Sequence, residues 1–168
     1  MAGLIVIVAA LVAQVTMIDR LPLPGGGGLD LVLLAVVGLA LVWGARAGAL
    51  IGFWVGFLAD ILPPADHVIG QYALVLCLIG YIAGRARERA PGALLVTAAA
   101  CVVLTPPLAA GLGALLGDPR IDWVLLAPMW LPVMVYNLLA VPLVVWAVNG
   151  IAARRRAQLV PIRVWRRV

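Results

Sequence analysis

Charge is scarce in this 168-residue chain, and it is confined to a few places. Lysine is absent, so all 12 basic residues are arginines. Seven residues are acidic, and His67 is the single histidine. The only cysteines are Cys77 and Cys101. Acid–base or nucleophilic catalysis needs positioned titratable groups, yet no apolar segment carries a pair of carboxylates. A zinc site needs Cys and His at characteristic spacings, and no such cluster occurs. Gly25 to Gly28 form a glycine run, but without the strand–turn–helix setting of a phosphate loop. The expectation is a protein that is not an enzyme, with no cofactor and no metal. His67 reads as a loop residue. The two cysteines lie inside separate apolar runs and read as small hydrophobes. Their spacing supports no disulfide.

What fills the chain is apolar. Hydrophobic residues make up 65% and charged residues 11%, and mean hydropathy is +1.17. Soluble domains have about 45–50% apolar and about 25% charged residues. A soluble core of this size has no room for so much apolar surface, so the composition points to an integral membrane protein of one domain. The net charge of +5 does not argue for nucleic acid. Six of the 12 arginines lie in the C-terminal tail and the rest punctuate apolar segments, which is a topology signal and a means of meeting anionic lipid.

Six apolar segments predict six transmembrane helices at about 2–18, 29–45, 47–62, 69–84, 93–116 and 123–148, followed by a basic tail at 149–168. The first segment lacks a basic leader and an A-x-A cleavage site, and reads as a retained helix. Pro22, Pro24 and the glycine run predict a loop before the second. About 16 residues of helix reach roughly 24 Å, short of the roughly 30 Å of a hydrocarbon core. Segments three and four are therefore expected to be partly protein-buried or to sit where the bilayer thins. Pro106-Pro107 and Pro128, Pro132 and Pro142 predict kinks in the last two segments.

With both termini cytoplasmic, Arg46, Arg85, Arg87, Arg89 and the tail residues Arg154, Arg155, Arg156, Arg163, Arg166 and Arg167 all fall inside. Only Arg20 and Arg120 fall outside, with Asp19, Asp30, Asp66, Asp118 and Asp122. That asymmetry obeys the positive-inside rule for a multi-pass protein. The tail, with Trp165 among its arginines, reads either as a surface helix on an anionic inner leaflet or as a solvated tail. Trp and Tyr near segment ends suit the interfacial belts.

The strongest local pattern is Gly44, Gly48, Gly52, Gly56 and Asp60, spaced every four residues within GARAGALIGFWVGFLAD. Such residues lie on neighbouring turns of a helix, and glycine there lets another backbone approach closely in lipid. A period of four drifts by about 40° per step around a helix of 3.6 residues per turn, which suits a crossing helix. The stripe meets either another helix of the same chain, with Gly80 and Gly84 as a matching small face, or a partner's helix. Asp60 has three readings: an interfacial acid touching headgroup water, a hydrogen-bonded group reaching a neighbouring span or loop such as Gln71 or Tyr72, or a ligand for substrate or ion. Its place in the last turn of its own helix is mildly unfavourable for a negative charge. The remaining polar residues within segments are Gln14, Thr16, Gln71, Thr97, Thr105 and Asn137.

The run GALIGFWVGFLADILPPADHVIGQYALVLCLIGYIAGRARE resembles the core of the rod shape-determining protein MreD family. The pattern falls on Gly52, Phe53, Gly56, Asp60, Pro63, Pro64, Gly70, Tyr72, Ala73, Leu74, Gly80, Tyr81, Gly84 and Arg85. The LPLPGGGG loop and the run from Val135 to Val144 also look like family features. The resemblance implies a non-enzymatic membrane component of the cell-elongation machinery, supporting rod shape and side-wall peptidoglycan synthesis in the bacterial cytoplasmic membrane. The implied partners are a bitopic MreC-like protein and, indirectly, MreB, RodA and a class B penicillin-binding transpeptidase. The family is similar in fold to the substrate-binding subunits of energy-coupling-factor vitamin transporters. That likeness sets up the alternative, a membrane subunit binding a vitamin or other small solute. The expected packing or partner interface comprises Gly48, Gly52, Gly56, Asp60, Pro63, Pro64, Gly70, Tyr72, Gly80, Tyr81 and Gly84.

Overall fold

Each long apolar run of the chain forms a helix. The computed structural model describes residues 2–16, 28–62, 70–117 and 123–158, excluding the side chains of 2–4, 6, 15, 123–129 and 152–158. In order these are α1 (Ala2–Thr16), α2 (Leu31–Trp43), α3 (Ala45–Ile61), α4 (Gln71–Arg89), α5 (Leu94–Leu115) and α6 (Trp123–Gln158). No strand occurs among the described residues.

The helix α2 is the hub. Nine of its 13 residues are buried, and it touches each of the other five helices. Val36, Val37, Ala40 and Leu41 of α2 meet Val75, Leu76, Ile79 and Ala83 of α4, with Val102 of α5 and Val141 of α6 in the same core. A single residue, Gly44, separates α2 from α3. Its φ of 85° lies in the left-handed region that favours glycine. The chain then folds back, and α3 packs more extensively against α4 than any other pair of helices does.

The outward faces are apolar. Leu50, Trp54, Val96, Leu131, Leu139, Leu143 and Trp146 are each 60% exposed or more, a surface suited to lipid and poorly suited to water. Among the described residues, two helices are long and apolar enough to cross a membrane, Leu94–Leu115 and Trp130–Ile151. The helix α5 stays helical through Pro106-Pro107, and α6 through its prolines.

Two helix ends depart from the sequence expectation. The fourth helix does not stop near 84 but continues to Arg89, and the sixth continues ten residues beyond 148, to Gln158. In both places the apolar run ends while strong helix formers (Ala, Arg, Glu, Gln) carry the helix on. Hydropathy marks where a segment stops being apolar, not where it stops being helical. Neither Cys77 nor Cys101 forms a disulfide. The predicted loop around Gly25 falls largely outside the described residues, as do Pro63, Pro64, His67 and the tail residues Arg163, Arg166 and Arg167. Arg154, Arg155 and Arg156 lie on α6, with side chains outside the description.

Candidate functional site

The glycine stripe of α3 faces α4. A Cβ placed on Gly52 would stand 2.6 Å from the carbonyl carbon of Leu76, and one on Gly56 would stand 2.6 Å from Ala73 Cα. On Gly48 it would collide with the Gly80 carbonyl oxygen and lie 2.7 Å from Ala40 Cβ. Reciprocally, a Cβ on Gly80 would meet the Gly48 backbone, and one on Gly84 would meet Gly44 and Ala45. The two helices run backbone against backbone along the whole seam, an approach that only glycine permits. This face is therefore occupied within the chain.

The charged ends of the seam are built reciprocally. Asp60, in the last turn of α3, is 2% exposed. Its Oδ2 accepts from the backbone N–H groups of Gly70 at 2.9 Å and Ala73 at 3.1 Å. These are donors of the first turn of α4, which have no partner inside their own helix. The carboxylate thus caps α4 from the neighbouring helix, beside that helix's positive dipole end. Of the three readings of Asp60, its burial excludes the water-facing one, and the positive N-terminus of α4 offsets the unfavourable position at the end of α3. Gly70 opens α4 with φ of 93°, in the left-handed region.

At the opposite end Glu88 of α4 returns the arrangement. Its Oε1 accepts from Ala45 N–H at 3.0 Å, at the start of α3. That hydrogen bond, the Arg85 guanidinium at 3.1 Å from Oε2 and the charge of Arg46 hold the Glu88 carboxyl below its ordinary value. Arg87 Nη1 donates to Leu41 O at 2.8 Å, satisfying a carbonyl in the last turn of α2. Trp43, Arg46, Tyr81, Arg85 and Glu88 line an open cleft at this end.

The start of α2 is held by three helices. Asp30 Oδ1 accepts from Leu33 N–H at 2.8 Å as a local N-cap. Gln14 Oε1 of α1 accepts from Leu31 N–H at 2.9 Å, and Asn137 Oδ1 of α6 accepts from Asp30 N–H at 2.9 Å. Tyr72 donates its hydroxyl hydrogen to Asp30 Oδ2, and Gln71 Nε2 donates to Ala109 O of α5 at 2.9 Å. Most polar residues within the apolar segments thus serve the backbone of another helix.

Two cavities complete the site. One is an apolar groove of about 460 Å³ between α1, α2 and α6, its walls rich in alanine: Ala9, Ala10, Ala13, Ala35, Ala140 and Ala147, together with Gly38. The other, of about 340 Å³, lies beside Asp30 and is bounded by Gln71, Tyr72, Thr105, Trp130 and Asn137 over an apolar floor. Neither was foreseen from the sequence, nor were the capping roles of Glu88, Gln14 and Asn137. Among the described residues no group of three or more His, Cys, Asp or Glu side chains could hold a metal ion.

Compared with protein-family models, curated proteins and solved structures, the chain matches none of them.

Proposed function

We propose that this protein is a membrane-embedded scaffold, a MreD-like component of the bacterial elongation machinery. Its immediate partner is the single transmembrane helix of a MreC-like bitopic protein. The chain crosses the cytoplasmic membrane six times with both termini inside, and MreB, RodA and a class B penicillin-binding transpeptidase are engaged indirectly.

The observation that carries this reading is the groove between α1, α2 and α6. A helix docking within lipid gains little from apolarity itself and depends on close backbone approach. Walls of alanine and glycine allow that approach. Along α6 the groove runs from Ala140 to Ile151, about 17 Å of helix, which is several turns of a docked partner. The glycine seam is taken by α3 and α4 themselves, so a partner helix needs a different small-residue face, and the groove is one.

The test is co-purification. The full chain and a MreC-like protein, co-expressed and solubilised in mild detergent, are expected to elute together, and depletion of the chain is expected to round the cells. A chain that elutes alone, with depletion producing a nutrient requirement instead, overturns the reading. One observation favours the alternative, a membrane subunit binding a vitamin or small solute: the pocket bounded by Gln71 and Trp130.

A further inference from the structure

The Gly44 end of the seam carries two arginines around its open cleft. Arg46, near the start of α3, and Arg85, one turn before the end of α4, both line this cleft of about 520 Å³. That volume falls within the range of about 300–1,000 Å³ for small-ligand sites. Glu88, the acid on its wall, is already engaged by the protein: Oε1 takes the Ala45 N–H and Oε2 takes one N–H of Arg85. The Arg85 side chain is 47% exposed, and a guanidinium has further donors beyond the one that Glu88 uses. Arg46 is exposed, makes no hydrogen bond with a described residue and acts on Glu88 through its charge alone. The Tyr81 hydroxyl likewise has no hydrogen-bond partner among the described residues. Arg87 and Arg89 in the last turn of α4 add positive charge at the same end.

Away from this end, the flank above each arginine is apolar. Phe53 and Phe57 stand seven and eleven residues beyond Arg46, on the same face of α3. Tyr81, Leu78 and Leu74 stand four, seven and eleven residues before Arg85, on the same face of α4. Phe53, Leu74, Leu78 and Tyr81 are all exposed. Eleven residues of helix rise about 16 Å, close to half of the roughly 30 Å hydrocarbon core. Each arginine thus heads an apolar strip one leaflet deep. A lipid phosphate in the cleft with its acyl chains along the strips uses both features, whereas a free anion uses only the first. Arginine forks match phosphate oxygens in pairs, and basic pockets between membrane helices on the cytoplasmic side suit anionic headgroups.

We infer that this cleft holds the headgroup phosphate of an anionic phospholipid of the inner leaflet, with Arg46 and Arg85 donating to its oxygens and the acyl chains lying along the outer faces of α3 and α4. The inference rests on the membrane-embedded reading of the chain and on no partner protein.

The full chain is reconstituted into nanodiscs of phosphatidylglycerol and phosphatidylcholine in equal amounts, and the lipid retained on release is read by native mass spectrometry. An arginine beside anionic lipid changes affinity about fivefold, so phosphatidylglycerol is expected to be retained roughly tenfold or more over phosphatidylcholine. Arg46→Gln with Arg85→Gln is expected to cut that ratio to about twofold or less. Its thermal midpoint should stay within about 2 °C of the unmodified protein, because exposed ion pairs contribute little. Arg46→Gln alone, at a side chain that bonds nothing in the fold, is expected to lower the ratio about fivefold. Arg163→Gln with Arg166→Gln removes the same charge from the basic tail and is expected to leave the ratio unchanged. Equal retention of the two lipids, a ratio that the cleft variants leave intact, or one that falls as far with the tail pair overturns the inference. Displacement of phosphatidylglycerol by inorganic phosphate as readily as by dihexanoyl-phosphatidylglycerol assigns the cleft to free anions and overturns it too. A chain that does not enter the nanodiscs overturns the membrane reading, and the inference with it.

Discussion

Asp60 and Glu88 cap each other's helices. Asp60 ends α3 and accepts from the first turn of α4, and Glu88 ends α4 and accepts from the first residue of α3. Each helix supplies the carboxylate that the other's N-terminus lacks, and the glycine seam between them sets the distance at which this works.

Asp60→Leu therefore strands two backbone donors at the start of α4 at once. The expected loss is about 2–3 kcal/mol, at the upper end for a removed hydrogen-bonding partner. Asp60→Asn keeps an acceptor oxygen in place and is expected to lose less than half as much. Denaturation in detergent by guanidinium, followed through tryptophan fluorescence, compares the two. Equal stability of Asp60→Leu and the unmodified protein would show that the cap contributes nothing.

Gly52→Ala is expected to destabilise by about 1–3 kcal/mol, because the added methyl meets the Leu76 backbone and can be accommodated only by moving a helix. Gly111→Ala is the control. Nothing stands within 4 Å of a Cβ at Gly111, so alanine there is expected to stabilise the helix by about 0.5–1 kcal/mol. Thermal midpoints of the two variants in one detergent check both signs.

The Glu88 carboxyl sits below its ordinary value of 4.5, first because of the Ala45 N–H and then because of Arg85. A group lowered in the folded state contributes stability that is complete above the unfolded value and is lost as pH falls through the folded one. The contribution of Glu88 should therefore be present at neutral pH and fade below about pH 4.5. Glu88→Gln keeps an acceptor for Ala45 N–H without the charge, and its acid-side loss should be shallower. Thermal scans from pH 3 to pH 7 (roughly the window in which carboxyl groups titrate) test this.

Ala147→Trp fills the alanine groove from an exposed position on α6. Recovery of a MreC-like partner should fall about tenfold or more, while the thermal midpoint stays within roughly 2 °C of the unmodified protein. Loss of both together would mean that the residue supports the fold and not a docked helix.

The helices were legible because apolar runs and helix ends nearly coincide where a glycine or a polar residue interrupts both: the break expected at Arg46 falls two residues earlier, at Gly44, and α2 begins just after Asp30. They diverge at Arg85–Arg89 and after Val148, where charge ends the hydrophobic run and helix propensity does not. The glycine stripe was legible as a close contact, and one of the readings of Asp60, a hydrogen bond to a neighbouring element, matches its geometry. The caps supplied by Asn137 and Gln14 were not legible. Asn137 and Asp30 are 107 residues apart, and no local pattern records which distant helix end a side chain will reach. The pocket at Gln71 was hidden for the same reason, since its walls come from α2, α4, α5 and α6.

A one-residue connection has a topological consequence. With Gly44 alone between them, α2 and α3 have no slack with which to choose orientations separately. Any tilt of one is passed to the other, and α4 follows through the seam. Three helices thus move as one unit, with Arg87, bonded to Leu41 O, bracing its joint.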